Sequence, residues 1–101
     1  MNSKVPNDML IWAVKSISGE VTTNMRMIAF SFGSKCAEFR FYMSKEPSEE
    51  EKEIGEIIAV NFDSGLPFEL KKLDVVFVVT NEPLGQLDSL DFILFRRWEQ
   101  T

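Results

Sequence analysis

Hydrophobic residues recur along this chain with two periods, and the first of them is that of a helix. Over Asn7–Ser18, four apolar residues share one helix face: Leu10, Ala13, Val14 and Ile17. Asn7 or Asp8 can cap the start of this helix, and Gly19 can take the left-handed position after its end. Trp12 lies beside the apolar stripe, so we expect it at the edge of the core.

The second period, of two residues, follows this helix and predicts two strands. They are predicted over Met25–Phe32 and Cys36–Met43, and the short connection Gly33-Ser34-Lys35 suits a hairpin. One face of the second strand is entirely apolar: Ala37, Phe39, Phe41 and Met43. We assign that face to the core, because alternate side chains of a strand point to opposite sides of the sheet.

A second helix is predicted over Ser48–Phe62. Ser48 and Glu51 have the spacing of a capping box, in which each side chain accepts a hydrogen bond from the other residue's backbone N–H. Four apolar residues form the predicted buried stripe: Ile54, Ile57, Ile58 and Phe62. Three glutamates fall on the other faces and predict an acidic outer surface: Glu49, Glu53 and Glu56.

Two more strands are predicted over Leu73–Thr80 and Leu90–Trp98. The first contains five consecutive apolar residues, Val75 to Val79, which is typical of a strand in the sheet centre or covered on both faces. The order α-β-β-α-β-β predicts an α+β fold, a two-layer sandwich of two helices on a mainly antiparallel four-stranded sheet. The 101 residues suit a single domain, 1–101. Its predicted core comprises Phe39, Phe41, Ile54, Ile57, Ile58 and Phe77.

The formal charge of −5 at pH 7 restricts the partners of this chain. Six of the 16 acidic residues lie between Glu46 and Glu56, so we expect a basic partner. We expect no direct contact with nucleic acid, whose phosphates require clustered lysine and arginine. No apolar run is long enough for a signal peptide or a membrane span. Cys36 is the single cysteine and has no internal disulfide partner, which favours the reducing cytoplasm.

The sequence shows no set of catalytic residues. The chain has no histidine, the usual general base near neutral pH, and Gly33, Gly65 and Gly85 stand singly at turn positions instead of forming a phosphate loop. The acidic runs lack the alternating ligands and central glycine of a Ca²⁺ loop. We therefore predict no enzyme activity, no cofactor and no metal site. We expect Arg96-Arg97 to form local ion pairs with Glu99 or Asp91.

Six segments carry a resemblance to a known protein family. They are Asn24-Met25-Arg26 with Ile28 and Phe30, Phe39-Arg40-Phe41-Tyr42, Glu46-Pro47-Ser48-Glu49-Glu50, Asp74 to Val79, Glu82-Pro83-Leu84 and Phe95-Arg96-Arg97-Trp98-Glu99. With these segments in this order, the chain resembles small bacterial immunity proteins, the partners of contact-dependent growth inhibition toxins. The resemblance implies a protein that binds the C-terminal domain of a cognate toxin in the cytoplasm. We expect this toxin domain to be basic and nuclease-like, and we expect its active site to be occluded.

Under this hypothesis the toxin-binding residues are exposed acidic ones together with two aromatic candidates for an anchor: Glu49, Glu53, Glu56, Asp88, Asp91, Tyr42 and Trp12. An acidic surface imitates the charge of the nucleic acid that the toxin cuts, and it steers the encounter with a basic toxin. Two alternatives stay open, a small acidic adaptor or regulatory module and an enzyme. The sequence also leaves open whether the protein is a monomer or a homodimer.

Overall fold

The computed structural model describes residues 6–99. In chain order its elements are α1 (Asn7–Ile17), β1 (Met25–Gly33), β2 (Cys36–Met43), α2 (Glu49–Ser64), β3 (Lys72–Val79), the short 3₁₀ helix η1 (Leu84–Gln86) and β4 (Phe92–Arg96). The predicted order of helices and strands is confirmed, and every predicted end lies within two residues of the observed one. The sequence pattern did not predict η1, because three residues are too few to show a period.

The four strands form a mixed sheet in the order β3-β2-β1-β4. β1 pairs antiparallel with β2 and with β4, whereas β2 and β3 run parallel. The α+β class is confirmed and the prediction of a mainly antiparallel sheet is wrong. The connection explains the difference: α2 carries the chain back across the sheet after β2, so β3 starts at the end where β2 started.

The apolar run Val75 to Val79 lies in an edge strand, so its predicted place in the sheet centre is wrong. The other prediction, that both faces of this strand are covered, holds in part. Val75 and Phe77 pack against the core beneath the helices, and Val78 packs against a smaller cluster that contains Leu84. β3 has a neighbouring strand on one side only, but both of its faces make apolar contacts. These contacts account for the consecutive apolar residues Val75 to Val79.

β1 and β2 form the predicted hairpin around a two-residue turn. Gly33 pairs with Cys36, and the turn residues Ser34 and Lys35 have positive φ angles of 52° and 61°. Two successive residues with positive φ are the mark of a type I′ turn, whose twist matches that of the flanking strands. The left-handed conformation therefore falls on Ser34 and Lys35 and not on the neighbouring glycine.

The main core lies between the sheet and the two helices. Three of the predicted core residues are fully buried, namely Phe39, Phe41 and Ile58. Ile54 and Phe77 are partly buried, and Ile57 is exposed. The prediction for Ile57 is wrong, because 47% of this residue is exposed. The reason is rotation about the helix axis, since Ile57 lies about 100° from its buried neighbour Ile58.

α1 is also rotated relative to its predicted stripe. It buries Met9, Ala13, Ser16 and Ile17, so that Val14 is 43% exposed instead of buried. Ser16 can face the core because its hydroxyl donates a hydrogen bond to the Trp12 carbonyl at 2.9 Å. The predicted cap at Asn7 or Asp8 is wrong, since Pro6 holds the N-cap position without a side-chain hydrogen bond. Gly19 does take the left-handed conformation, with φ 81°.

A smaller apolar cluster lies on the sheet face opposite the helices. Met27, Ala29 and Tyr42 are buried there together with Leu84 of η1. η1 and the loop around it thus cover part of the face that the helices leave free. Within residues 6–99, neither helix has the length and apolar character needed to cross a membrane.

Candidate functional site

Arg26 is the centre of a polar network at one end of the sheet. Only 5% of this residue is exposed. Its Nε and Nη2 donate to the two carboxylate oxygens of Glu99 at 2.9 and 2.8 Å. Its Nη1 donates to the Thr80 carbonyl at 2.6 Å, and its Nη2 also donates to the Glu82 carbonyl at 2.7 Å. Arg97 donates from Nη2 to Glu99 Oε2 at 2.8 Å, which confirms the predicted local ion pair for Arg97, whereas Arg96 forms no ion pair with the part of the chain that the structure describes.

We name Arg26, Arg97 and Glu99 the arginine clasp. Hydrogen bonds and positive charge from Arg26, and secondarily from Arg97, lower the pKa of Glu99 from 4.5 to about 2 although burial opposes the shift. The hydrogen bond to Glu99 raises the pKa of Arg26. Because its members belong to β1 and to the segment after β4, the clasp fixes residues 97–99 against the sheet.

A second network joins the start of α2 to the segment before β1. Glu51 accepts hydrogen bonds from Thr22 Oγ1 at 2.6 Å and from Asn24 Nδ2 at 3.1 Å. Glu51 also accepts the Ser48 N–H, and Ser48 Oγ accepts the Glu51 N–H, which confirms the predicted capping box. Burial disfavours the charged form of Glu51, but these hydrogen bonds outweigh that effect and lower its pKa.

The two networks contain residues from four of the segments that resemble immunity proteins. Asn24 and Arg26 come from the first segment, and the others contribute Ser48, the Glu82 carbonyl and Glu99. Their polar groups are engaged with one another inside the protein. Within residues 6–99, no buried side-chain nitrogen or oxygen lacks a hydrogen-bond partner. We conclude that the polar residues of these two networks hold one end of the sheet together.

The outer side of α2 carries three of the acidic residues that the sequence predicts to bind a toxin. Glu49, Glu53 and Glu56 are all exposed, and their spacing of four and three residues places them along one side of the helix. Lys52 Nζ lies 3.5 Å from Glu49 Oε1 with both side chains largely exposed, a contact that contributes little to stability. Glu53 and Glu56 make no hydrogen bond or ion pair with the described part of the chain.

Two apolar residues lie among these carboxylates. Ile57 is 47% exposed and Val60 is 63% exposed. Ile57 follows Glu53 by about one helical turn, and Val60 follows Glu56 at the same distance along the chain. We name these five residues, Glu49, Glu53, Glu56, Ile57 and Val60, the acidic face. An apolar centre with a charged rim is the usual composition of a protein–protein interface.

Asp88 and Asp91 lie away from the acidic face. Asp88 follows η1 on the opposite side of the sheet, where its carboxylate is 3.6 Å from Arg40 Nη1 and accepts the Leu90 N–H at 2.8 Å. Asp91 accepts the Phe32 N–H at 3.1 Å, near the end of β1 that is remote from the arginine clasp. The structure thus divides the five acidic candidates among three places. Toxin binding by Asp88 or Asp91 stays a prediction.

Both aromatic candidates for an anchor make hydrogen bonds inside the protein. Trp12 packs against the core, as predicted, and its Nε1 donates to the Phe62 carbonyl at 2.8 Å, which joins α1 to α2. Tyr42 is 4% exposed, and its hydroxyl donates to the Asp88 carbonyl at 2.7 Å. A partner could reach little of Tyr42 without displacing the loop after η1. Toxin binding by these two residues also stays a prediction.

Sequence reasoning missed the exposed tryptophan near the end of the chain. Trp98 is 82% exposed, more than any other large hydrophobic residue that the structure describes. With Arg96 it lines a groove beside η1. The alternation of side chains along an extended segment is the signal that could have revealed it. Arg97 points inward to Ser44 and Glu99, so its neighbours Arg96 and Trp98 point to the other side.

The carboxylates with shifted pKa values are not placed for acid–base chemistry. Glu51 and Glu99 have lowered pKa values, and both are engaged by internal hydrogen bonds. Among residues 6–99, no group of three or more His, Cys, Asp or Glu side chains is arranged to hold a metal ion. The thiol of Cys36 is free and partly exposed.

Comparison with known proteins matches the sequence to one family. The profile of a family described as MafI2 immunity protein matches residues 6–99. No curated protein sequence matches the chain. The matched range contains both helices, the four strands, the arginine clasp and the acidic face.

Proposed function

Because the chain belongs to the MafI2 immunity protein family, we propose that it neutralises a cognate toxin domain by binding it with the acidic face of α2. The resemblance to bacterial immunity proteins is confirmed, although MafI2 is close to the contact-dependent growth inhibition group and not identical with it. The family also favours toxin binding over a general adaptor or an enzyme. An inhibitor of this kind needs only to bind its target and performs no chemistry.

The observation that carries the proposal is the exposure of Ile57 and Val60 among free carboxylates. Ile57 and Val60 leave branched apolar side chains in contact with water on the outside of the helix, which costs solvation free energy in the isolated protein. In an interface the same side chains become desolvated and supply affinity, while the surrounding charges exclude wrong partners and fix orientation. The acidic face therefore has the composition expected of the toxin-binding surface.

The charge of this face indicates the kind of toxin. Seven residues separate Glu49 from Glu56, so their carboxylates extend over about 10 Å of the helix axis. A row of negative charge of this length suits a cleft lined by lysine and arginine, such as the cleft with which a nuclease binds phosphates. We propose that α2 occupies such a cleft, occludes the active site and excludes nucleic acid. The cytoplasm is the proposed place of action, because nucleic acid is exposed to a delivered toxin there.

Neutralisation of the carboxylates tests the electrostatic part of the proposal. The variant E49Q/E53Q/E56Q should associate with the toxin domain encoded next to the gene for this chain about tenfold more slowly at low ionic strength, because steering by complementary charge is lost. Its association rate should also depend less on salt. Stopped-flow fluorescence or surface plasmon resonance over a range of salt concentrations measures both effects.

The matched control removes three negative charges elsewhere. Glu20, Glu69 and Asp74 lie outside α2, and the variant E20Q/E69Q/D74N has the same net charge as the first variant. It should retain most of the wild-type association rate if the position of the charges matters. Equal rates for wild-type protein and E49Q/E53Q/E56Q at every salt concentration would contradict the proposal, and so would equal losses in both variants.

A further inference from the structure

A groove separates η1 from the segment that follows β4. Its volume is about 670 Å³, and it is lined on one side by residues 83–86 and on the other by residues 96–99, which include Arg97 and Glu99 of the arginine clasp. Leu84 in its wall is 4% exposed and belongs to the smaller apolar cluster, so this wall is part of the folded structure. We name this site the tryptophan groove.

The chain on both sides of Trp98 is held in place, although the Trp98 side chain is exposed. The Arg97 N–H donates to the Arg26 carbonyl at 2.8 Å, which continues the pairing of β4 with β1 beyond the end of the strand. Glu99, on the other side of Trp98, forms a two-point ion pair with Arg26. A tryptophan anchored by its backbone loses little conformational freedom on binding, and tryptophan and arginine are enriched among the residues that dominate interface energies.

Arg96 gives the tryptophan groove a charge opposite to that of the acidic face. The residue is exposed, and its guanidinium has no hydrogen bond or ion pair with the part of the chain that the structure describes. Arg97 and Arg26 share the single carboxylate of Glu99. Positive charges therefore outnumber negative charges among these residues and Arg96, in a chain of net charge −5. A planar guanidinium beside an indole ring suits a carboxylate next to an apolar side chain.

We propose that the tryptophan groove binds an acidic segment of the cognate toxin, with Trp98 packing on an apolar side chain and Arg96 pairing with a carboxylate. This inference rests on the proposed toxin-binding function and adds a second contact of opposite charge. Such a contact fixes the orientation of the toxin, because a partner that is basic throughout pairs with the acidic face and is repelled at Arg96.

Hydrogen bonds place the segments that carry the two surfaces beside the same stretch of chain. Arg97 Nη1 donates to the Thr23 carbonyl at 2.8 Å, and the neighbouring Thr22 donates to Glu51 of α2 at 2.6 Å. The segment that holds Trp98 and the first turn of α2 therefore flank the same short stretch, residues 22–24. In the proposed complex the toxin domain extends from α2 around this end of the sheet to the tryptophan groove, which lies beside η1.

Fluorine NMR of the two tryptophans gives a direct test. The chain contains only Trp12 and Trp98, so labelling with 5-fluorotryptophan produces two ¹⁹F resonances that the variant W98F assigns. Addition of the unlabelled toxin domain encoded next to this chain should shift the Trp98 resonance and abolish its response to exchange of H₂O for D₂O. The resonance of Trp12, which is hydrogen-bonded inside the protein, should move much less.

Two substitutions test the energetic contribution of the groove. W98A should raise the dissociation rate of the complex about tenfold or more, as expected for an interface anchor. R96E should weaken binding more than K71E, which changes the net charge equally at an exposed lysine outside the groove. Circular dichroism melts should be unchanged by W98A and R96E, since neither side chain is buried.

The outcomes separate this inference from the proposed function. Suppose that the complex forms and that E49Q/E53Q/E56Q weakens it. If toxin then leaves the Trp98 resonance unchanged, and W98A and R96E bind as tightly as wild type, the inference is overturned and the proposed function stands. If the toxin domain does not bind at all, both are overturned. If the Trp98 resonance depends on protein concentration without toxin and R96E removes that dependence, the groove binds a second copy of this chain and the inference is wrong.

Discussion

At the scale of single residues, Ile57 and Ile58 show how buried and exposed positions alternate on α2. The two residues are adjacent and chemically identical, but Ile58 is completely buried and Ile57 is 47% exposed. A helix turns by about 100° per residue, so one of two consecutive apolar residues must leave the core when the buried face is narrow. The narrow face here consists of Gly55, Ile58, Ala59 and Phe62.

This difference predicts that the same substitution has a large effect on stability at Ile58 and a small one at Ile57. Ile58→Ala should lower the free energy of unfolding by about 2–5 kcal/mol, because it leaves a cavity in the core. Ile57→Ala should change it by about 0.5 kcal/mol or less, as is usual for surface positions. Urea denaturation of the two variants measures both values.

The same pair distinguishes stability from binding. Ile57→Ala should raise the rate at which the toxin complex dissociates, by about tenfold if Ile57 is an interface anchor. Wild-type dissociation together with wild-type stability in Ile57→Ala would show that this residue has no role in the interface.

At the scale of elements, the packing of α2 on β3 depends on a glycine. A Cβ atom at Gly55 would lie 2.8 Å from Phe77 Cζ and 3.1 Å from Val75 Cγ1. Phe77 cannot turn away easily, because its ring stacks on Phe41 with the centroids 5.1 Å apart. The helix therefore approaches the edge strand at a distance that only glycine permits, and this close approach covers the apolar run of β3.

We expect Gly55→Ala to destabilise the protein although alanine favours helices. Relief of the clash requires the helix or the Phe77 ring to move, at a cost of about 1–3 kcal/mol, which exceeds the gain of about 0.8–1 kcal/mol in helix propensity. Thermal unfolding measures the net effect. Gly33→Ala is the control, because nothing lies within 4 Å of a Cβ at Gly33. A higher melting temperature for Gly55→Ala would mean that α2 can move away from β3 freely.

At the scale of the whole molecule, the arginine clasp joins parts of the chain that are distant in sequence. Arg26 and Glu99 are 73 residues apart, and Arg26 also binds two carbonyls after β3. Breaking one partner of a buried ion pair leaves the other charge uncompensated, which typically costs about 3–5 kcal/mol. The clasp should therefore control both global stability and the position of Trp98.

The clasp predicts a pH dependence of stability whose sign follows from the pKa of Glu99. This pKa falls from 4.5 to about 2 on folding, so the contribution of Glu99 is complete above about pH 4.5 and is lost as the pH falls toward 2. Glu99 keeps some exposure to solvent, which screens the interaction, so the shift corresponds to about 1–3 kcal/mol of unfolding free energy. E99Q should be less stable than wild type at neutral pH and should show a shallower decline between about pH 4.5 and 2.

Chemical denaturation at several pH values checks this expectation, and NMR titration of the Glu99 carboxyl carbon measures the pKa directly. Parallel stability curves for wild type and E99Q through the acidic range would show that the clasp does not hold Glu99 ionised. The acidic face should be unaffected, so E99Q should retain toxin association by α2 while binding at the tryptophan groove weakens.

Local patterns in the sequence determined the elements of this protein. Apolar periodicity predicted both helices and the two hairpin strands, because a 3.6-residue or a two-residue period reflects which side of an element meets the core. Uninterrupted apolar runs predicted β3 and β4. The capping box at Ser48 and the turn around Ser34 were also predictable, since a cap or a two-residue turn involves only neighbouring residues. The acidic outer side of α2 follows from composition in the same way.

The tertiary structure decided the strand order, the direction of β3, the rotation of each helix and the positions of the binding surfaces. Each depends on contacts between residues far apart in the chain, which no local period encodes. Gly55 against Phe77 sets which face of α2 is buried, and so exposes Ile57. The bond between Arg26 and Glu99 turns Trp98 outward. The sequence alone therefore determined that this protein is an acidic α+β chain resembling immunity proteins, and long-range packing decided which of its side chains a toxin can reach.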